Sequence, residues 1–335
     1  MTPKERVLNR LCGKPVDKIP NFSIVMQFAA KYIGATMDKY CSDYRTLVQA
    51  NIETARVFGL DIMHTMSDPV RETADYGAKV VFEHDRIPRA VEHFIQTPAD
   101  VSKLKPLKPY ETVRMLDRIK AVELYKKELG DEYPVMGWVE GMGAEAGDLM
   151  GVSELMIAFY DQPEMVRDVM DVCFESAKAC IKAQVDAGAD IIGVGDALAS
   201  VAGPIMYNEF ILPYEKKLFA YIKECGAVGR LHICGDITRI LDDIATCGAQ
   251  IVDVDFMADF QTAVSKLGPD IAANGNFDPV EVVLQGTPET IRQAVENCVN
   301  AGNERTFIMP GCEVPPNTSH ENMLAMHQTL VDIGG

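Results

Sequence analysis

Short apolar runs alternate with longer helical segments along most of this 335-residue chain. Eight of the runs are short and mostly β-branched or apolar, as strands buried on both faces are. They are residues 19–25, 60–64, 134–138, 190–195, 229–232, 251–254, 271–274 and 305–309. The clearest helical segments lie between them, at residues 116–129, 164–187, 215–225, 237–246 and 288–301. This alternation predicts a parallel sheet in an α/β fold.

Eight strand–helix units in a chain of this length predict a (β/α)8 barrel of the TIM type. A doubly wound sheet is the main alternative. The segment before residue 19 predicts an N-terminal capping helix, and residues 79–82 and 90–94 predict a hairpin, a small insertion after the second strand. No linker, charge block or internal repeat divides the sequence, so residues 1–335 are predicted to form a single domain.

The net negative charge of the chain limits the kinds of binding partner it can have. Asp and Glu number 49 against 32 Lys and Arg, which gives a net charge of -17. Such a field repels nucleic acid and anionic membranes. No apolar stretch is long enough to span a bilayer, and the N-terminus lacks the apolar region of a signal peptide. The nine cysteines have no disulfide-framework spacing, so a reduced, cytoplasmic protein is predicted.

Polar residues follow most of the predicted strands. In barrels of this type the active site lies at the carboxyl ends of the strands, so these residues are candidates for function. Glu140, Asp196 and Asp255 are candidate catalytic residues, and Asn274 and Asn276 are candidate cofactor contacts. Acidic residues at such positions are also common helix caps, and that reading is favoured for Asp236 and Asp278.

Three further residues suggest a metal site. His232 and Cys234 are two apart at a strand end, which places both side chains on one side, and Cys312 follows the eighth strand. One imidazole and two thiolates suit Zn²⁺ and leave one position open, which is the catalytic arrangement. Gly235 and Gly311, beside the two cysteines, allow close backbone approach. From the residues alone, a backbone-bonded His and two buried Cys remain an alternative.

Several segments resemble a known family. Residues 3–7, 15–20, 187–190, 231–235 and 310–318 resemble the uroporphyrinogen decarboxylase superfamily. Within it they are similar to the corrinoid-dependent methyltransferases, such as methylcobamide:coenzyme M methyltransferases and related bacterial O-demethylase methyltransferases. The resemblance implies a TIM-type barrel, zinc held by His232, Cys234 and Cys312, and a corrinoid carried by a partner protein.

The decarboxylase activity that names the superfamily is not favoured. The decarboxylases carry an Arg-x-x-x-Arg pattern that binds an eight-carboxylate porphyrinogen. The matching region here is residues 21–27, and no Arg occurs between Arg10 and Arg45. A polyanionic substrate would be poorly held without those cations.

The predicted function is therefore zinc-dependent methyl transfer between a small methylated substrate, methoxyaromatic or similar, and the cobalt of a corrinoid protein. A methylcobamide:thiol methyltransferase of the coenzyme M type is the alternative. The acidic mouth opposes a sulfonate, and the nearest cation is Arg71. The corrinoid is too large for a packed barrel and is expected to dock over the mouth, with the hairpin as a possible rim. A non-catalytic zinc barrel and a homodimer also stay open.

Overall fold

Six parallel strands form a curled sheet in the computed structural model, which describes residues 1–334. They are β1 (Met63–His64), β4 (Val135–Glu140), β5 (Ile191–Gly195), β6 (Val228–His232), β7 (Ile251–Asp253) and β8 (Ala272–Asn274). Each strand pairs with the next one of the sheet in chain order, as in a barrel. A doubly wound sheet would reverse its strand order at a switch point, so that alternative is excluded.

Isolated bridges complete the ring between the last and first units. Asn274 pairs with Phe307, and Ile308 pairs with Asn21. The Asp61 backbone N–H then donates to the Asn21 carbonyl at 2.9 Å, beside β1. The prediction of a TIM-type barrel is confirmed.

The strands predicted at residues 19–25 and 305–309 are wrong as regular strands. Pro20 has no N–H to donate to a neighbouring strand. The Ser23 N–H and Oγ donate to the Asn21 side chain, so the Ser23 N–H is not available for strand pairing. Pro310 also lacks an N–H, and the second segment pairs only through isolated bridges at Phe307, Ile308 and Pro310.

Helices surround the sheet. The first half of the chain contributes α1 (Pro3–Leu11), α2 (Met26–Tyr32), α3 (Met37–Ser42), α4 (Tyr44–Phe58), α5 (Arg71–Tyr76), α6 (Val113–Leu129), α7 (Met142–Met150) and α8 (Val152–Asp161). The second half contributes α9 (Pro163–Asp186), α10 (Leu198–Met206), α11 (Leu212–Glu224), α12 (Leu241–Ile244), α13 (Phe260–Leu267), α14 (Pro288–Ala301) and α15 (His320–Ile333). A 3₁₀ turn (Pro98–Lys103) and two π-helical turns (Tyr207–Ile211, Pro279–Leu284) join them.

Most predicted helices are present, with one exception. The helix predicted over residues 237–246 is reduced to α12, because tight turns precede it. Asp236 accepts from the Thr238 N–H, and the Ile240 N–H donates to the Ile237 carbonyl. Asp278 accepts from the Val280 and Glu281 N–H groups at the start of the π-helical turn, so its predicted capping role is confirmed. Asp236 bonds a turn that precedes α12 and caps no helix, so that prediction is wrong.

The N-terminal helix and the insertion lie where the sequence predicts them. In α1, Arg6 pairs with Asp61 at 2.6 Å and Lys4 with Asp190 at 2.8 Å, so α1 covers the amino ends of the strands. The insertion is an antiparallel hairpin of β2 (Lys79–Glu83) and β3 (Arg86–Glu92). Among the described residues, no helix is both long and apolar enough to cross a bilayer.

Candidate functional site

The carboxyl ends of the central strands form one polar row. In register across the sheet lie Glu140, Gly195, His232, Asp253 and Asn274. Because side chains alternate between the faces of a strand, residues in register point to the same side. The sequence places each of these residues at a strand end, so the row follows directly from strand pairing.

His232, Cys234 and Cys312 converge beside this row, and we call them the ligand triad. Their ligand atoms all lie within 4.8 Å of one another. His232 Nε2 is 3.2 Å from Cys234 Sγ, and the two sulfurs are 3.4 Å apart. The predicted convergence of these three side chains is therefore present in the fold.

Glycines allow the two cysteine loops to come this close. A Cβ on Gly311 would lie 2.3 Å from the backbone nitrogen of Phe256, so only glycine fits there. Gly235 has a φ of 95°, in the left-handed region that glycine adopts without strain. The expectation of close backbone approach is confirmed beside Cys312, whereas Gly235 is favoured by its φ and lies against the Ser200 side chain.

Asp253 orients the imidazole of the triad. Its Oδ2 lies 2.8 Å from His232 Nδ1, which leaves Nε2 facing the thiols. The same carboxylate pairs with Arg230 at 2.8 Å and accepts from Asn274 Nδ2 at 2.7 Å. Burial raises the pKa of Asp253, but Arg230 and His232 outweigh it, so this pKa stays below its ordinary value. Asp253 is an ionised anchor for His232.

The charge of the triad depends on its own internal contacts. The hydrogen bond from Cys234, with help from His232, lowers the pKa of the Cys312 thiol well below its ordinary value. Burial lowers the pKa of His232, but Cys234 and Asp253 outweigh it, and the pKa stands well above its ordinary value. The triad therefore holds one thiolate at neutral pH, and thiolate is the form that binds metals.

The triad opens into a cavity of about 280 Å³. Apolar side chains, including Ile24, Met66 and Trp138, form much of its wall, and the acids Asp68, Glu140 and Glu313 line it as well. A larger groove of about 550 Å³ lies between β3 and α8 but contains none of the triad. The smaller cavity is therefore the candidate active site.

The three candidate catalytic acids occupy different places. Glu140 lines the cavity and accepts from Trp138 Nε1 at 2.8 Å, while burial and Glu72 raise its pKa well above the ordinary value. Asp196 is fully buried, does not line the cavity, and accepts from backbone N–H groups at the start of α7. Asp255 accepts from the Gly235 N–H at 2.8 Å and so braces the Cys234 loop.

The two candidate cofactor residues are internal braces in this structure, which corrects their expected place. Asn274 is fully buried and bonds Asp253, as described above. Asn276 donates to the carbonyls of Asp255 and Ala258. Neither lines the cavity, because both amides turn toward the neighbouring strand ends.

Two further residues differ from their expected roles. Arg71, the nearest candidate cation, is 1% exposed and bonds Ser67 and Asp117 instead of facing the cavity. Glu145, for which the sequence leaves an acid–base or binding role and a solvated helix surface equally open, is buried, does not line the cavity and accepts from Thr73 at 2.8 Å.

Glu313 is a cavity residue that sequence reasoning missed. It follows Cys312 directly, and this position after a predicted ligand was the available signal. Its Oε1 accepts from the Gln27 N–H at 2.7 Å, and burial raises its pKa to about 7.

Comparisons with known proteins identify the family of the chain. The uroporphyrinogen decarboxylase (URO-D) family matches residues 2–332. The methylcobamide:CoM methyltransferase MtbA of Methanosarcina mazei is 28% identical over 331 residues, with 97% of this chain and 96% of the relative covered. A uroporphyrinogen decarboxylase of Geobacter metallireducens is 27% identical, with 96% of both chains covered.

A solved structure shares the whole fold. A methyltransferase from Methanosarcina mazei superposes with a TM-score of 0.91 at 22% identity, and 99% of both chains is covered. The chain belongs to the uroporphyrinogen decarboxylase family, and within it is an enzyme of the methyltransferase kind.

Proposed function

We propose that this chain is a zinc-dependent methyltransferase that moves a methyl group between a small methylated substrate and the cobalt of a corrinoid protein. The observation that carries the proposal is the ligand triad, whose one nitrogen and two sulfurs converge within 4.8 Å at the wall of a cavity. A purely structural zinc site has four protein ligands, whereas three leave a position for substrate.

The donor set fits zinc. Nitrogen and sulfur are the ligand types that Zn²⁺ takes, and Asp253 supports the imidazole in the way typical of zinc-binding histidines. Two thiolates and a neutral imidazole would balance the charge of the ion. Zinc held by His232, Cys234 and Cys312 would supply a Lewis acid for the heteroatom that gives or receives the methyl group.

The chain's own residues prepare the site for this chemistry. Asp253 fixes the imidazole, and Asp255 holds the Cys234 loop through the Gly235 N–H. Glu140 lies in the cavity with a raised pKa, so it can hold a proton near the heteroatom. Asp196 acts at a distance, because it fixes the start of α7.

The cavity favours a substrate without negative charge, such as a methoxyaromatic or a similar methyl donor. Among the residues that line it in the described part of the chain, three are acidic and none is Lys or Arg. The lining offers no Lys or Arg to balance the eight carboxylates of a decarboxylase substrate or the sulfonate of coenzyme M.

Methyl transfer to a thiol is the second candidate. It is favoured by the relatives named methylcobamide:CoM methyltransferases, which match 97% of this chain. Metal coordination deprotonates a thiol, so the same triad could serve either direction.

The corrinoid partner would approach from the mouth, since a corrin ring is too large for a cavity of about 280 Å³. Exposed apolar side chains lie in α10, which follows β5, and in the loop after β7, at Val201, Ile205, Phe256 and Met257. Both segments lie against the ligand loops, because a Cβ on Gly235 would meet Ser200 and one on Gly311 would meet Phe256. A docking role for the hairpin and a homodimer stay predictions, as does a cytoplasmic location.

A reconstituted assay tests the proposal. The zinc-loaded chain is mixed with a reduced corrinoid carrier protein and a panel of methoxyaromatic, methylamine and methylthiol donors, and the corrinoid absorbance is followed. We expect one donor class to methylate the corrinoid only in the presence of zinc. Equal rates for the zinc-loaded and zinc-free chain would contradict the proposal. Methyl transfer to coenzyme M with no activity on the donor panel would favour the second candidate.

A further inference from the structure

The acids that line the cavity are not equivalent. Asp68 is fully paired, since Arg114 donates to both of its oxygens at 2.9 and 2.6 Å. Ser67 Oγ adds a third donor at 2.6 Å. Asp68 therefore has its charge balanced within the protein and offers little to a ligand.

Glu140 and Glu313 lack such partners. Glu140 receives one hydrogen bond, from Trp138 Nε1, and Glu313 receives one, from the Gln27 N–H. Among the described residues, neither carboxylate has a Lys, Arg or His nitrogen within 4.0 Å. The cation that acts on Glu140 is Arg118, whose Nη1 is already bonded to Glu72 at 2.6 Å.

The free oxygen of Glu140 faces open space because of a glycine. Gly195 lies between Glu140 and His232 in the row of strand ends. A Cβ there would lie 3.0 Å from Glu140 Oε2 and 2.6 Å from the Trp138 ring. The missing side chain keeps a path open between the Glu140 carboxylate and the ligand triad.

Buried carboxylates without a cation are costly, and a bound cation removes that cost. Both glutamates line the cavity that the triad lines, and so does Trp138. An aromatic ring adds a further attraction for a cation within reach of its face. A bound cation stabilises the charged form of both glutamates, whereas a negatively charged group finds no Lys or Arg in this lining.

Building on the proposed methyl transfer, we propose that the substrate carries an ammonium group that binds Glu140 and Glu313 while its reacting atom lies at the triad. Two kinds of substrate share this chemistry. One is a methylated amine, in which the C–N bond breaks, the methyl group passes to the corrinoid and the neutral amine leaves. The other is an aminothiol, in which the sulfur at the triad gains the methyl group, the bond from methyl to cobalt breaks and the thiol proton is released.

A matched series of thiols tests the aminothiol case. Cysteamine, 2-mercaptoethanol and 2-mercaptoethanesulfonate have the same two-carbon chain and differ only in a cationic, neutral or anionic end. Calorimetry on the zinc-loaded chain should give at least 10-fold tighter binding for cysteamine than for 2-mercaptoethanol, with the sulfonate weakest. Equal affinities, or tightest binding of the sulfonate, would overturn the inference.

A second pair of probes tests the methylated amine without the metal. Trimethylammonium and tert-butanol have similar sizes, and only the first is charged. On the zinc-free chain, trimethylammonium should bind and tert-butanol should not. If the amine pair discriminates and the thiol series does not, the substrate is the methyl donor; the reverse result assigns the acceptor. No discrimination in either set overturns the inference.

Substitutions identify the residues that cause the preference for the cationic probe. Glu140→Gln and Glu313→Gln should each reduce the ratio of cysteamine affinity to 2-mercaptoethanol affinity at least fivefold. Glu145→Gln is the matched control, because Glu145 is also buried with one hydrogen-bond donor but does not line the cavity. A preference that survives both cavity variants would overturn the inference. Zinc content, measured in parallel, tests the proposed function separately, since the amine pair needs no metal.

Discussion

Two buried polar clusters of the barrel differ in how their groups are paired. The ion-pair cluster joins the loop after β1, α5 and α6, and consists of Asp68, Arg71, Glu72, Arg114 and Arg118. In it, Arg114 contacts Asp68 and Arg118 contacts Glu72, each at 2.6 Å. The ligand triad instead brings one imidazole and two thiols together.

The two clusters therefore have different roles, since the ion-pair cluster stabilises the fold and the ligand triad is suited to bind a metal. The ion-pair cluster pairs each of its two carboxylates with a guanidinium, so it fixes loops at one side of the cavity. The ligand atoms of the triad point at one another. When both thiols are ionised, a bound metal ion is needed to hold them together. We expect changes in the first cluster to alter folding stability and changes in the second to alter metal binding.

The largest expected effect is on the triad. Cys312→Ser should reduce bound zinc to background and abolish methyl transfer, because a serine oxygen replaces a thiolate among only three ligands. Thermal unfolding of the metal-free protein should change little. Metal analysis and the corrinoid assay measure the effect, and Cys247→Ser is the control, a buried cysteine outside the triad. Full zinc content in Cys312→Ser would contradict the assignment.

The ion-pair cluster should respond in the opposite way. Arg114→Met leaves the Asp68 carboxylate buried without its main partner, which should cost about 3–5 kcal/mol of unfolding free energy. The folded fraction should still bind zinc. Urea unfolding gives the cost, with Arg89→Met as control, because Arg89 is exposed and its pairing with Glu83 at 3.6 Å contributes less than about 1 kcal/mol. If Arg114→Met lost zinc and kept its unfolding free energy, the structural role of the ion-pair cluster would be contradicted.

The two carboxylates that support the triad, Asp253 and Asp255, should affect zinc affinity to different extents. Asp253→Asn removes the charge that orients His232, and we expect zinc affinity to fall about 10- to 100-fold. Asp255→Asn should have a smaller effect, because Asp255 contacts the backbone of the Cys234 loop and no ligand side chain. Competition with a chromophoric chelator measures both. Equal affinities for the wild type and Asp253→Asn would show that the carboxylate does not act through the metal ligand.

The smallest expected effect is a pH dependence beside the ion-pair cluster. Burial, with Glu72 and Asp68 nearby, raises the pKa of Asp148 from its ordinary 3.8 to about 7. The folded protein therefore holds a proton that the unfolded chain releases, so stability falls as pH rises from about 4 to about 7. Asp148→Asn should remove about 1 kcal/mol of this fall. Urea unfolding at pH 5 and 8 tests it, with the exposed Asp161→Asn as control; an unchanged slope in Asp148→Asn would contradict it.

The two clusters also differ in how far the sequence predicts them. The triad is predictable because parallel strands end at one edge, so His232 and Cys234 must face the loop that carries Cys312. The pairing of Asp68 with Arg114 spans 46 residues between a loop and a helix. Strand alternation does not determine which helix packs over which loop, so no local pattern reveals that pair.

The same limit applies to the fold and the cavity. The repeat of strands and helices predicts the barrel, but the weak pairing of Asn21 with Ile308 depends on prolines and on local side-chain bonds. The buried place of Glu145 depends on the packing of α7 against α9, which α-helical periodicity alone does not determine. The role of Glu140 was partly predictable, because it ends β4 in register with the row of strand-end residues.

The most direct test of the account is the metal content and ligand sphere of the purified wild-type chain. Mass spectrometry under native conditions should find about one zinc per chain. X-ray absorption at the zinc edge should find two sulfurs at about 2.3 Å and nitrogen or oxygen ligands at about 2.0 Å. A chain without zinc, or zinc with no sulfur ligand, would contradict the claim that His232, Cys234 and Cys312 form the catalytic metal site of this enzyme.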